Sequence, residues 1–193
     1  MKAIAVAVVA VLVLVGCGVP VQEDPAPIDP GAIPSRLRTS SRPTAGPTAA
    51  TSGLATVQVN FVRRDRLVSL NREAPGTTST ELMNAVLQGL QDGPTATEQA
   101  AGLTSALQPG LTLSVIHIEA QSVVLELSGE TGGRSATENV LAVGQIVLSV
   151  TALPAVDEVT FSHNGVPVEA LLADGALTTK PLTAEDYEAL RAQ

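Results

Sequence analysis

The sequence predicts an α+β domain, with an antiparallel or mixed sheet of five to six strands and two main helices packed on one face. Three observations point there. Apolar and polar residues alternate in several short runs, as at Val57, Val59 and Phe61, which marks strands with one buried and one wet face. Ser/Thr-x-x-Glu boxes at Thr78–Glu81, Thr95–Glu98 and Ser135–Glu138 each open a helix, because side chain and backbone satisfy each other's end groups. Asn164-Gly165 between apolar runs signals a tight hairpin.

The chain begins with a different kind of segment. Lys2 precedes an unbroken apolar run of thirteen residues, Ala3 to Val15. As a helix this run covers about 20 Å at ~1.5 Å per residue, short of a hydrocarbon core of roughly 30 Å. It reads as the apolar region of a signal peptide, residues 1–16. Leu14-Val15-Gly16-Cys17 looks like a bacterial lipobox, and the sole cysteine stands where a diacylglyceryl group would be attached. The expected location is the extracytoplasmic face of the cell membrane, with the membrane itself a partner through lipid on Cys17.

Residues 17–53 follow as a tether. Seven prolines fall between Gly18 and Gly53 amid Ser, Thr, Ala and Gly, and proline at that density excludes helices and central strands. As a flexible coil the tether would reach roughly 30 Å, and about 110 Å as extended polyproline II.

The folded domain is expected over 54–193. A first strand around Val57–Phe61 turns through Arg63-Arg64-Asp65-Arg66 into a second, Leu67 to Asn71. Met83, Val86, Leu87 and Leu90 give the first helix its apolar stripe, and Gly93-Pro94 stops it. A short helix then ends near Gly102. After Pro109-Gly110 come strands Leu111–Glu119 and Ser122–Ser128, then a helix striped by Val140, Val143, Gly144, Val147 and Leu148. Asp157–His163 alternates with Val159 and Phe161 inward, Val166–Leu171 is the return strand, and Thr183–Asp186 starts a last helical turn.

Composition narrows the chemistry. A net charge of -8 repels phosphate backbones, so nucleic acid is excluded as a partner. Phe61, Phe161 and Tyr187 are the only aromatic residues, which leaves no stacking platform for bases or sugars. One cysteine and two histidines supply neither a thiolate zinc site nor a histidine cluster, and no cofactor is implied. No nucleophile elbow, phosphate loop or His-Glu-x-x-His motif occurs. His117 shares parity with Leu111, Leu113 and Val115 and is expected on the core side; His163 sits at a strand end by the turn. Glu119 and Glu126 are the one carboxylate pair that a hairpin could bring face to face, but no aromatic cleft surrounds them. Arg63, Arg64, Arg66 and Arg72 form the one basic concentration.

Several pieces in order resemble a GerMN domain, the spore-germination module of bacterial envelope lipoproteins. They are Leu90-Gln91-Asp92-Gly93-Pro94, Leu107-Gln108-Pro109-Gly110-Leu111, Val124-Leu125-Glu126-Leu127-Ser128, Gln145-Ile146-Val147-Leu148-Ser149, and Val159-Thr160-Phe161 with Gly165. Glu126, where the family usually has Asp, and His163-Asn164, where a more acidic turn is usual, depart from the pattern. The resemblance, together with the thin candidate chemistry, implies a non-catalytic interaction module for an envelope protein or a peptidoglycan-associated partner. The expected contact surfaces are the Gly93-Pro94 and Pro109-Gly110 loops or the Arg63, Arg64, Arg66 hairpin. The alternatives are an accessory cell-wall hydrolase and a ligand-capturing lipoprotein.

Overall fold

The computed structural model describes residues 53–129 and 132–193. The expected signal peptide, Cys17 and the tether up to residue 52 lie outside the described residues.

β1 (Leu54–Arg63) and β2 (Arg66–Pro75) pair antiparallel in unbroken register from Leu54↔Pro75 to Arg63↔Arg66. Both strands run further than their alternation suggested. α1 (Ser79–Asp92) and α2 (Ala96–Ala100) follow, each opened by its complete capping box, Thr78 with Glu81 and Thr95 with Glu98. β3 (Thr112–Glu119) pairs antiparallel with β4 (Ser122–Ser128), and α3 (Ala136–Val150) then carries the chain to β5 (Glu158–His163). β5 lies parallel to β4, so α3 is the crossover of a β-α-β unit.

The class is α+β, as the alternation and capping boxes predict, with two long helices. The strands, however, are divided between sheets. β1 and β2 form a two-stranded ribbon, while β3-β4-β5-β6 is a separate four-stranded mixed sheet. The return strand is also short: β6 (Val166–Pro167) ends at a proline, which has no N–H for the ladder. The next residues instead form a small sheet of β7 (Ala170–Leu171) with β8 (Leu177–Thr178). A final 3₁₀ helix, Glu185–Leu190, is started by Asp186, whose carboxylate accepts from the N–H and hydroxyl of Thr183.

One aliphatic core joins these pieces. Val59, Phe61, Val86, Leu90, Val123, Leu125, Val147, Leu148, Val159 and Tyr187 are all within it. Asn60, which alternation places on the wet face of β1, is fully buried. The C-terminal half of α3 covers it: its N–H donates to Ser149 Oγ at 2.9 Å, and its side-chain oxygen accepts from Ser69. Gln145, one helical turn before Ser149, is buried as well and accepts from the N–H of Ala106 at 2.7 Å. The two buried polar residues of this helix therefore tie it to β1 and to the segment before β3.

Candidate functional site

The Arg63–Arg66 hairpin has left-handed backbone at both turn residues, Arg64 at φ 53° and Asp65 at φ 57°. That is the type I′ arrangement, which matches the strand twist but normally uses Asn-Gly. The same chain does so at Asn164-Gly165 between β5 and β6. Holding two residues with side chains there costs on the order of 1–2 kcal/mol each. The geometry is imposed by the strand pair below it and by Arg66, whose guanidinium donates to the Ala189 carbonyl at 2.6 Å. Arg63, Arg64 and Arg66 are all exposed.

Arg72 does not belong to this group. It lies six residues along β2, roughly 20 Å away at ~3.3 Å per residue. Its guanidinium stacks 4.9 Å over the Phe61 ring and donates to the carbonyls of Gly89 and Gly93 and to Glu98. The Gly93-Pro94 step is thereby part of a structural clamp between β2, the end of α1 and α2, and Pro94 also accepts from Gln99 at 2.8 Å. Pro109 and Gly110 are exposed ahead of β3, and Gly110 lies against Gly129 at the end of β4. Hairpin and Gly93-Pro94 step thus sit at separate stations along β2 rather than in one patch.

His117 is not on the core side. The β3–β4 register slips between Val115 and His117, so Val115 pairs with Leu125 but His117 with Val124. This bulge at Ile116 inverts the parity of the rest of the strand. His117 is solvent-exposed and meets Glu119 at 3.1 Å, both side chains more than half accessible. Glu119 pairs with Ser122 and Glu126 with Ser114, so the two carboxylates do not face each other. Glu126 instead accepts from Ser162 Oγ at 2.5 Å and from the Gly165 N–H at 3.3 Å. The Ser162 hydroxyl chiefly, with the turn's N–H groups, outweighs desolvation and holds its carboxyl below the ordinary range. Glu126 and the His163-Asn164 turn, the two departures from the family pattern, are therefore in direct contact.

His163 borders a feature that alternation alone did not reveal. A half-open cavity of about 330 Å³ lies between α3, the ends of β4 and β5, and the β7–β8 sheet. Its walls are apolar, with Val143, Ile146, Phe161 and Leu177, and Gln108, Arg134, Asn139, His163 and Glu169 supply polar groups. The Nδ1 of His163 lies 2.8 Å from the Leu127 carbonyl. A carbonyl only accepts, so Nδ1 carries a proton and donates it there. Among the described residues no group of three or more His, Cys, Asp or Glu is placed to hold a metal, and no helix is long and apolar enough to cross a membrane.

Residues 44–169 match the model of the Germane family, sporulation and spore germination. The chain belongs to this family. No curated protein matches it. Among solved structures, the first GerMN domain of the sporulation protein GerM from Bacillus subtilis is similar at TM-score 0.56 and 18% identity, over 68% of this chain and 98% of that one. The tandem GerMN domains of the same protein are similar at TM-score 0.53 and 18% identity, over 75% of this chain. The chain spans 50% of that tandem chain. At this identity the likeness is one of fold, and it is a GerMN fold. The arginine hairpin and the Gly-Pro and Pro-Gly steps all fall inside the Germane match, whereas Ala170, Leu171 and Leu177 of the cavity wall lie beyond it.

Proposed function

We propose that this chain is an extracytoplasmic lipoprotein, held at the cell membrane by lipid on Cys17, whose GerMN domain docks without catalysis onto an envelope protein or a peptidoglycan-associated partner. The observation that carries the reading is the Arg63–Arg66 tip. It presents three exposed guanidiniums on a chain of net charge -8, on a turn whose backbone favours other residues. Backbone strain that local sequence does not need is a mark of a site under functional constraint. A rigid two-strand stem also loses little entropy on binding, and Arg suits planar anionic groups through paired hydrogen bonds. Membership of a sporulation and germination family and likeness to domains of a sporulation protein support an envelope setting.

The test replaces Arg63, Arg64 and Arg66 by Ser in the full chain, in cells, and follows crosslinked partners by mass spectrometry. Docking through this tip predicts loss of crosslinks with the fold intact, the unfolding midpoint falling only by the loss of the Arg66 bond to Ala189. A second reading, ligand capture, draws on the cavity beside α3. Turnover of cell-wall fragments by the purified chain, abolished by His117→Ala or His163→Ala, would replace docking by the hydrolase reading.

A further inference from the structure

The cavity between α3 and the β7–β8 sheet has a composition that narrows what enters it. Its body is apolar, and its size falls at the lower end of the range of small-ligand sites. The apolar surface does not stop at the mouth. Leu177, on the wall, is 61% exposed, and Val166 is 62% exposed. Val166 pairs directly with His163 in the β5–β6 ladder, and directly paired residues share a sheet face, so Val166 continues the cavity's side of the sheet. A small molecule enclosed in the cavity leaves this apolar rim wet. A partner chain passing over the mouth covers it.

The polar groups add a second constraint. Arg134 spends one N–H on the Ala106 carbonyl and has further donors at the wall. Glu169 is an acceptor, and the neutral amides of Gln108 and Asn139 offer both donors and acceptors. A carboxylate entering here meets the like charge of Glu169, and a cation meets that of Arg134. A neutral peptide group, with one C=O and one N–H, satisfies both sides. We infer that this cavity is a socket for a leucine- or phenylalanine-sized side chain of an extended partner peptide, whose flanking backbone is held between Arg134 and Glu169. The inference rests on the docking reading of the domain but uses none of the hairpin residues.

The test titrates the isotopically labelled full chain, in detergent micelles, with acetyl-Gly-Leu-Gly-amide and acetyl-Gly-Phe-Gly-amide, against acetyl-Gly-Gly-Gly-amide and 3-methylbutanoate. The expected result is saturable chemical-shift change at Val143, Phe161 and Leu177 with the first two peptides only. Val143→Phe, which fills the cavity, abolishes it, and the exposed substitution Leu177→Ser weakens it several-fold without touching the core. Arg63→Ser with Arg64→Ser and Arg66→Ser leaves it unchanged. Absence of saturable shifts, shifts that survive both Val143→Phe and Leu177→Ser, or equal or tighter binding of 3-methylbutanoate overturns the socket. If the peptides fail while the arginine substitutions still remove envelope crosslinks, docking stands and the socket alone falls.

Discussion

Arg72 and Glu98 meet at 2.5 Å, each side chain only about a fifth exposed, across the junction of β2 and the start of α2. Glu98 already serves as the third residue of the α2 capping box, so one carboxylate closes the helix start and fixes the guanidinium. Arg72 in turn stacks on Phe61 and reaches the carbonyls of Gly89 and Gly93. Arg72→Met removes the ion pair, the stacking and two carbonyl hydrogen bonds, and is expected to cost about 2–4 kcal/mol, between an exposed and a fully buried pair. Glu98→Gln keeps the capping geometry and loses only the charge, with an expected cost of about 1 kcal/mol. Urea unfolding of the two variants checks the order; equal losses would show that the ion pair, and not the stacking or the carbonyl hydrogen bonds, accounts for what Arg72 contributes.

Acid should weaken the fold through the same kind of group. The carboxyls of Glu81, Glu98, Glu126 and Glu138 all lie below their ordinary range. Backbone N–H groups of Thr77 and Thr78 act on Glu81, and that of Ser135 on Glu138; at Glu98 burial opposes the shift but is outweighed by Thr95 and Arg72. A depressed native value means stability that is complete above the unfolded value, about 4.3, and is lost as pH falls through the native values. The thermal midpoint is therefore expected to be flat from neutrality to about pH 5 with respect to these groups, and to fall below about pH 4. Glu81→Gln with Glu138→Gln, which retain the capping hydrogen bonds, should make the acid branch shallower.

Two helical glycines should respond oppositely to alanine. At Gly89 an added Cβ comes no nearer than 3.4 Å to Val59, an ordinary contact, so Gly89→Ala is expected to stabilise by about 0.5–1 kcal/mol. At Gly144 it lies 3.0 Å from both Tyr187 and Leu190 and 3.1 Å from Leu67. Gly144→Ala must push the final 3₁₀ helix off α3, and crowding of about 1–3 kcal/mol outweighs the helix gain. Calorimetry of the pair decides it.

Tyr187 is fully buried and its hydroxyl donates to the Leu171 carbonyl at 2.7 Å. Burial first, and the Asp186 charge second, push its phenol far up. As the only tyrosine in a chain without tryptophan, it gives an unmixed ultraviolet signal. No phenolate absorbance is expected to develop until the protein unfolds in alkali. Tyr187→Phe should cost about 1–2 kcal/mol by leaving the Leu171 carbonyl unpaired.

Cys17→Ala should abolish lipid attachment and leave either an uncleaved precursor or a shed protein. Detergent partition of the whole chain checks it: a mature variant still in the detergent phase would overturn the lipoprotein reading.

Features that depend on neighbours in sequence were legible from it. All three capping boxes close between residues three apart, so Thr78, Thr95 and Ser135 announce their helices with no help from the fold. The Asn164-Gly165 turn is likewise local, because its backbone angles suit those two residues and few others. Long-range packing decided the rest. Alternation carries no register, so the bulge at Ile116 that turns His117 outward, and the separation of Glu119 from Glu126, became visible only with β4 in place. Arg72 reads as one of four arginines in a row of short spacings, yet strand extension carries it away from the hairpin to the helix ends that bind it. The parallel pairing of β4 with β5, and the cavity closed by residues as far apart as Arg134 and Leu177, come from α3 crossing the sheet. Hydrogen bonds within one turn are settled by residue type, whereas pairing between distant segments is settled by which arrangement buries the shared aliphatic core.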